Sequence, residues 1–277
     1  MPEIGTIFIT GATDGLGRAL AGALAADGAT LILHGRDSAK LTEVADDIAG
    51  SHDVARPATV RADLAELAQV RRLAEDVRSL TDRLDGFVSN AGIGSGEPEG
   101  RTRRVSADGY ELRFAVNYLA GFALTLDLLP LLRASAPARI VNVASLGQYP
   151  IDFEDLMIEH GYSGGRAYGQ SKLAQIMSGF HLAGDIPAGE VTVNSLHPAT
   201  FMPTKIVLAE RGSHLDSLDE GTAVTRRLIT DPELARTTGE FFDRTSPARA
   251  NAQAYDPDAR DELWRRSLEL LGENTSR

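Results

Sequence analysis

Short runs of apolar, mostly β-branched residues alternate along the chain with longer amphipathic stretches. The runs cover Thr6–Thr10, Thr30–His34, Thr59–Arg61, Gly86–Ser89, Arg139–Ala144 and Val191–Leu196. Apolar runs without polar alternation are typical of parallel strands that are buried on both faces. The stretches between them have helical periodicity over Leu16–Asp27, Ser38–Ala49, Leu67–Leu80, Asp108–Ala134 and Arg166–Ala183. The alternation predicts an α/β fold with a doubly wound, Rossmann-like parallel sheet in a three-layer αβα arrangement.

The same pattern predicts one domain over residues 1–277, because no fixed-period repeat or low-complexity linker interrupts it. Two segments, near 149–165 and 199–218, depart from the pattern just after predicted strands. Ligands of open α/β sheets bind beyond the carboxyl ends of the strands, so both segments are candidate walls of a substrate site. Their apolar residues are equally typical of plain core packing. These residues are Tyr149, Ile151 and Phe153 in the first segment and Phe201, Met202, Ile206 and Val207 in the second.

Composition narrows the classes of function. Lys+Arg 28 against Asp+Glu 39 give a formal net charge of −11, which argues against nucleic acid as a partner. The absence of cysteine excludes disulfides, thiolate zinc sites and a cysteine nucleophile. The histidines lack metal-ligand spacing, so we expect no metal. We see no basic leader and no apolar stretch of the roughly 20 residues that span a membrane, and therefore expect a cytoplasmic protein without membrane contact.

A glycine-rich turn follows the first predicted strand. It runs Thr10-Gly11-Ala12-Thr13-Asp14-Gly15-Leu16-Gly17 and leads directly into a predicted helix. Glycines permit a tight turn and a close approach of the backbone to phosphate, while a helix N-terminus offers free N–H groups and a positive dipole end. A plain strand–helix loop has the same composition, but the position after the first strand of an α/β chain favours a nucleotide site.

Further motifs follow in register with the predicted strands. They are Ser89-Asn90-Ala91-Gly92, Val116-Asn117-Tyr118, Ser145 after the fifth strand, the Y-x-x-x-K pair Tyr168 and Lys172, and His197-Pro198-Ala199-Thr200. With the glycine turn they resemble the short-chain dehydrogenase/reductase family over most of the chain. Three blocks are similar to its retinol-dehydrogenase-like branch, namely Ser106–Leu119, Ser171–Ala174 and Leu263-Trp264.

The resemblance implies an oxidoreductase that moves a hydride between a nicotinamide and a small carbonyl or alcohol. Its implied catalytic tetrad is Asn117, Ser145, Tyr168 and Lys172. Tyr168 would exchange a proton with the substrate, Ser145 would hydrogen-bond the substrate oxygen, and Lys172 would also bind the nicotinamide ribose. Asn117 would anchor a water of a proton relay.

Tyr168 and Lys172 are four residues apart on a predicted helix and so share one face. Lowering a free tyrosine pKa from about 10 to about 7 takes roughly 4 kcal/mol. One ammonium about 4 Å away, at an effective dielectric constant of about 20, supplies a free energy of that order. The pair is therefore sufficient for acid–base work at neutral pH, although an isolated pair of this kind is more often an ordinary surface contact.

The cofactor contacts are implied in the same way. They are Gly11, Thr13, Asp14, Gly15, Leu16, Gly17, Arg36, Asp63, Leu64, Asn90, Ala91, Gly92, Tyr168, Lys172, Pro198 and Thr200. The second strand ends without the carboxylate of NAD sites, since Gly35 holds that position and Arg36 follows it, which favours NADP(H). Asp14 and Asp37 leave NAD(H) open, although Asp37 also fits a helix cap. Asp63 fits either an adenine contact or a helix cap.

Two other classes of function share parts of this pattern. A non-catalytic nucleotide sensor or scaffold would keep the fold but usually loses the Tyr or Lys. A sugar-nucleotide epimerase or dehydratase shares Y-x-x-x-K but carries a different glycine spacing and a larger C-terminal region. Relatives often form homo-oligomers through the helices that here are Asp108–Ala134 and Arg166–Ala183, and burial within a monomer would give the same apolar pattern.

Overall fold

Eight strands form one sheet in the residues described by the computed structural model, which are 4–52, 54–96, 100, 102–204, 207–208 and 212–273. The strands are β1 Thr6–Ile9, β2 Thr30–Gly35, β3 Ala58–Arg61, β4 Gly86–Ser89, β5 Ala138–Val143, β6 Val191–His197, β7 Phe241–Asp243 and β8 Ser246–Ala248. Their order is β3-β2-β1-β4-β5-β6-β7-β8, and only β7 and β8 pair antiparallel. The predicted fold class is confirmed.

Helices cover both faces of this sheet. They are α1 Gly15–Ala26, α2 Ser38–His52, α3 Leu67–Leu80, α4 Ala120–Ala134, α5 Gly164–Asp185, α6 Leu218–Thr230 and α7 Pro257–Leu270, with a π-helix at Phe114–Leu119 and short 3₁₀ turns at Pro232–Leu234 and Ala252–Tyr255. Helices α1, α2 and α6 share one apolar cluster, and α3, α4 and α5 share another. Strand residues alternate between the two clusters: Ile7 and Ile9 join the first and Phe8 the second.

The predicted helix Asp108–Ala134 is wrong at its start. Residues 106–109 form a turn in which Gly109 has φ +86°, and Val105 and Glu111 form an isolated β-bridge. Helical structure begins at Leu112, because the Glu111 carboxylate accepts the Phe114 N–H at 2.7 Å and so caps it.

The last quarter of the chain contains elements that the hydrophobic pattern did not predict. Strands β7 and β8 are only three residues long, too short for a periodicity to show. Helix α6 has a local signal that was available, the capping box of Ser217 and Glu220. Helix α7 has another, since Asp256 caps it and Pro257 opens it.

Helix α7 lies across α5 and the π-helix. The Trp264 indole stacks on His181 with ring centroids 4.3 Å apart and meets Phe122 edge-on at 4.8 Å. The Tyr118 and Ser267 hydroxyls lie 2.6 Å apart in the buried contact beneath. These contacts cover part of the apolar surface of α5 and of the helical segment that contains Tyr118 and Phe122.

One helical segment has the length and composition of a membrane span, contrary to expectation. Phe114–Ala134 has 21 residues and a mean hydropathy of 1.6, but 67% of that window is buried inside the fold. It packs against α3 and α5, as the core helix of an α/β fold does.

His34 joins three elements from within β2. The side chain is buried; its Nδ1 accepts the Gly11 N–H at 3.3 Å, and Nε2 lies 3.1 Å from the Ala62 carbonyl oxygen. These two bonds fix the neutral Nε2–H tautomer. Burial lowers the pKa of His34 from 6.5 to about 4, so the folded chain keeps a neutral imidazole where the unfolded chain is charged.

We expect His34 to make the protein less stable in acid. Because the unfolded state binds the proton first, its contribution is full above pH 6.5 and falls by about 3 kcal/mol as pH drops to 4. Urea unfolding of wild type and His34→Asn between pH 7.5 and 4 measures it: the variant should be less stable at neutral pH and lose less on acidification. The exposed His52→Asn is the control, and parallel curves for wild type and His34→Asn would contradict the assignment.

Candidate active site

A cleft of about 1150 Å³ opens at the carboxyl ends of the central strands. It lies where β1 is flanked by β2 on one side and β4 on the other, which is the crossover point that binds ligands in doubly wound sheets. Every residue expected to contact cofactor lines it, as do Ser145, Tyr168 and Lys172. Asn117 stands behind the lining, next to Gly92 and Lys172.

The glycine turn forms a cradle at one end of the cleft. Gly11 and Gly15 have φ of +66° and +49°, a conformation that side chains rarely adopt, and a Cβ at Gly17 would overlap the Gly11 carbonyl oxygen. The Asn90 amide donates to the Thr10 carbonyl at 2.8 Å and so ties the turn to the end of β4. Helix α1 begins at Gly15 with its N-terminal N–H groups at the cradle. Shape and dipole fit a dinucleotide pyrophosphate.

The end of β2 carries two cations and one engaged carboxylate. Arg36 and Lys40 line the cleft, and the second of these was not predicted. The Asp37 carboxylate accepts the N–H groups of Ala39 at 2.9 Å and Lys40 at 3.2 Å. It therefore caps α2, which answers the question that the sequence left open. A Cβ at Gly35 would collide with Thr13, so the close packing of β2 on the glycine turn itself requires glycine there.

Asp63 and Leu64 lie in the turn after β3. The Asp63 carboxylate accepts the Ala65 N–H at 3.0 Å, so it closes this turn and does not cap α3. The first N–H of α3, at Leu67, is met instead by Asp108 at 2.9 Å. Asp63 also lines the cleft.

Asn117 lies in the π-helix, a widened turn of the kind often found at functional sites. Its side-chain oxygen Oδ1 accepts the Ile93 N–H at 2.7 Å. Its side-chain Nδ2 donates to the Ile93 carbonyl at 3.0 Å and to the Ser171 hydroxyl at 3.0 Å. A buried polar side chain thus holds the strand extension beyond β4 against α5.

Tyr168 and Lys172 occupy the first half of α5, on the face that lines the cleft. The Lys172 ammonium lies 5.9 Å from the centroid of the Tyr168 ring. It donates to the Val143 carbonyl at 2.8 Å and to the Gln175 amide oxygen at 2.9 Å. Burial lowers the pKa of Lys172 from 10.5 to about 7, so this group titrates near neutral pH.

Ser145 follows β5 and faces Tyr168 across a glycine. A Cβ at Gly147 would lie 3.5 Å from the Ser145 hydroxyl and 3.9 Å from the Tyr168 ring, so the two side chains flank one spot. The Ser145 hydroxyl also accepts the Gly147 N–H at 3.0 Å. Ser145, Tyr168 and Lys172 therefore meet at the end of the cleft opposite to Arg36.

Pro198 and Thr200 line the cleft after β6, supported by residues that the sequence did not indicate. The Asp216 carboxylate accepts the Thr200 N–H at 2.6 Å and an Arg244 N–H at 2.6 Å. The hydrogen bond from the Thr200 N–H is the largest cause that holds the pKa of Asp216 below its usual range, and the Arg244 guanidinium contributes less. His197 lies 3.1 Å from the Thr200 hydroxyl, and burial lowers the pKa of its imidazole.

The two irregular segments divide between wall and core. Phe201, Met202 and Val207 line the cleft, while Ile206 lies outside the described residues. Ile151 is buried and Phe153 packs on the same apolar cluster away from the cleft. Other lining residues were missed, among them Ile93, Val116 and Leu146. Within the described part of the chain, no group of three His, Asp or Glu side chains could hold a metal ion.

Known proteins that are similar to this chain in sequence and in structure share one family. The family model described as short chain dehydrogenase matches residues 5–212. Mouse retinol dehydrogenase 13 is 34% identical over 96% of this chain and 84% of its own length, and mouse polyprenol dehydrogenase is 33% identical over 98% and 85%. The Pseudomonas aeruginosa RhlG/NADP active-site complex superposes with a TM-score of 0.71 at 26% identity, covering 88% of this chain and 97% of that one. The chain belongs to the short-chain dehydrogenase family, in its retinol-dehydrogenase-like branch.

Proposed function

We propose that this chain is an NADP(H)-dependent oxidoreductase that transfers a hydride between the nicotinamide and a small carbonyl or alcohol, with Tyr168 as general acid and base. One observation carries the proposal: Ser145, Tyr168 and Lys172 meet at one end of a cleft whose other end is a glycine cradle at a helix N-terminus. An extended dinucleotide in this cleft would have its phosphates at the cradle and its reactive ring beside Tyr168.

The charges at the end of β2 support NADP(H) over NAD(H). Arg36 and Lys40 would bind the 2′-phosphate, while one carboxylate oxygen of Asp37 is engaged in capping α2. The pyrophosphate would be held by Gly11, Thr13, Asp14, Gly15, Leu16 and Gly17. The adenosine and the part of the dinucleotide that follows it would contact Asp63, Leu64, Asn90, Ala91 and Gly92, and the nicotinamide end would contact Pro198 and Thr200. The structural relative from Pseudomonas aeruginosa is an NADP complex, which agrees with this choice.

The chain's own residues would then move the proton. The bound nicotinamide supplies or takes the hydride. In the reductive direction Tyr168 gives its phenolic proton to the substrate oxygen, while the Ser145 hydroxyl donates a hydrogen bond to that oxygen. The Lys172 ammonium, 5.9 Å from the Tyr168 ring centroid, stabilises the phenolate left behind. Asn117 fixes the backbone at Ile93 and lies with Lys172 beside Gly92. There it would anchor a water that carries protons between Lys172 and solvent.

The substrate end of the cleft favours an apolar carbonyl or alcohol. Leu146, Phe201, Met202 and Val207 line it, and Leu146 keeps 49% of its surface exposed. Apolar side chains around a few convergent polar groups are the usual composition of a small-molecule site. Retinol and polyprenol dehydrogenases, which the chain resembles, are named for apolar alcohols.

We extend the proposal to the whole chain as one domain over 1–277 that acts in the cytoplasm without membrane contact. The single sheet from β1 to β8 supports one domain. Burial of most of Phe114–Ala134 supports a core role for the one described helix with the length of a membrane span. The cover that α7 places over α5 supports a chain that does not pair through that face.

Replacing Arg36 tests the cofactor. Loss of a charge-assisted bond to the 2′-phosphate should weaken NADPH binding by roughly 10–100-fold in Arg36→Ala, and leave NADH binding within about twofold. Fluorescence titration with both nucleotides measures this, and the exposed Arg72→Ala on α3 is the matched control. Equal affinities of wild type for the two nucleotides would contradict NADP(H) preference, and failure of both to bind would make the turn a plain loop.

Replacing Tyr168 tests the chemistry. Tyr168→Phe removes one hydroxyl and should lower the rate of NADPH oxidation with a panel of apolar ketones and aldehydes by roughly 10²–10⁴-fold, with NADPH affinity unchanged. Tyr255→Phe, whose ring packs on Phe180 far from the cleft, controls for loss of a hydroxyl. A fully active Tyr168→Phe would refute the assigned role. Tight NADPH binding without turnover of any substrate would favour the nucleotide-sensing alternative.

A further inference from the structure

The Lys172 ammonium is held from the core side by a glutamine. Of its two acceptors, the Val143 carbonyl belongs to β5 and is fixed by the sheet, while the Gln175 amide oxygen, 2.9 Å away, belongs to the next turn of α5. Gln175 is buried with 3% of its surface exposed. A buried ammonium needs acceptors for its protons, because desolvation otherwise removes its charge.

The orientation of the Gln175 amide follows from that contact. Lysine is a donor only, so the amide must present its oxygen to Nζ and direct its NH₂ group elsewhere. That Nε2 has no hydrogen-bond partner in the described part of the chain. Gln175 also borders a cavity of about 20 Å³ with Asn142 and Ser178, which is room for one water molecule with polar partners.

Among the residues that the structure describes, neither hydrogen-bond acceptor of the Lys172 ammonium is a carboxylate. Burial is the cause of the lowered pKa of Lys172, and no charged neighbour contributes to it. The titratable groups on the nearby cleft wall are Tyr168, one turn earlier on α5, and His197 at the end of β6. The remaining charged side chains of the cleft belong to the region of the glycine turn, β2 and β3: Asp14, Arg36, Asp37, Lys40 and Asp63.

We propose that Gln175 is a positioning residue for the reaction: its neutral amide fixes the Lys172 ammonium beneath Tyr168 and sets the pH range in which that ammonium is charged. The role in turnover rests on the proposed function, while the effect on Lys172 does not. A neutral acceptor keeps the ammonium in place without cancelling its charge, and so preserves its field at the Tyr168 oxygen.

The two opposite changes at position 175 should move the titration of Lys172 in opposite directions. Gln175→Glu keeps an acceptor oxygen and adds a negative charge beside Nζ, which should raise the pKa of Lys172 by about one unit or more. Gln175→Met keeps the volume but removes the strong acceptor, which should lower the pKa of Lys172 by about one unit. A glutamine that only fills space would leave the lysine titration unchanged in Gln175→Met, whereas the charge added in Gln175→Glu acts on any ammonium beside it.

The sequence makes this measurement direct, because it has three lysines, Lys40, Lys172 and Lys205. Protein labelled with ¹³C at the lysine ε-carbon gives three resonances, and loss of one in Lys172→Met identifies Lys172. We would titrate wild type, Gln175→Glu and Gln175→Met without nucleotide or substrate. Gln170→Met, the same change at a buried glutamine of α5 that instead bonds to Asp152 and Leu156, is the matched control. Lys40 is the internal reference.

The expected result is a Lys172 midpoint near 7 in wild type and Gln170→Met, higher in Gln175→Glu and lower in Gln175→Met. An unchanged midpoint in either Gln175 variant would overturn the proposal, so Gln175→Glu still tests the contact if Gln175→Met does not fold. With an active substrate, the alkaline limb of kcat should shift with the Lys172 midpoint. A shifted midpoint in a protein that turns over nothing would refute the proposed function and keep the Gln175–Lys172 contact.

Discussion

A single ammonium inside the fold sets the electrostatic design of the cleft. Lys172 is buried on α5 with only neutral acceptors, a strand carbonyl and an amide. The interior must therefore tolerate a charge that burial already drives toward neutrality, as the lowered pKa of Lys172 shows. A carboxylate partner would stabilise the ammonium more strongly but would also cancel the field that it exerts on Tyr168. With a pKa near 7, Lys172 is partly charged at neutral pH and can gain or lose a proton there.

The far end of the cleft is built from geometry more than from charge. Helix α1 approaches the turn so closely that no Cβ fits at Gly17, and β2 approaches it so closely that none fits at Gly35. His34 and Asn90 then bond to the backbone of the same turn from β2 and from the end of β4. Rigid backbone N–H groups are thus aligned before any anion arrives, which reduces the ordering cost of binding. Arg36 and Lys40 are the positively charged side chains at this end of the described cleft lining, and both are long and exposed.

The sequence predicted six of the eight strands and most of the residues that line the cleft, because these depend on local patterns. Parallel strands are continuous apolar runs, and the glycine, Ser and Y-x-x-x-K motifs directly follow them. It was wrong or left alternatives open where a single side-chain bond or turn decides the structure, because such features have no hydrophobic period. The start of the helix near 108 is decided by the Glu111 cap and its bridge to Val105, and of the two roles left open for Asp37 the structure shows the helix cap. Gln175 and Asp216 have no motif at all, since their importance arises only from what they touch.

The distribution of exposed apolar side chains connects the fold to the substrate. Trp264 of helix α7 packs against Phe122 of α4 and His181 of α5 and covers part of both helices. Of the large apolar residues that stay exposed in the described ranges, four lie on the segments after β5 and β6 that border the cleft: Leu146, Tyr149, Leu208 and Leu215. Leu215 is 70% exposed, and its N–H bonds to the carbonyl of Phe201, a residue held at a positive φ of 50°. Exposed apolar groups and backbone strain tend to persist where function requires them. Such exposed apolar side chains on the segments that follow β5 and β6 agree with the proposal of an apolar substrate for this cleft.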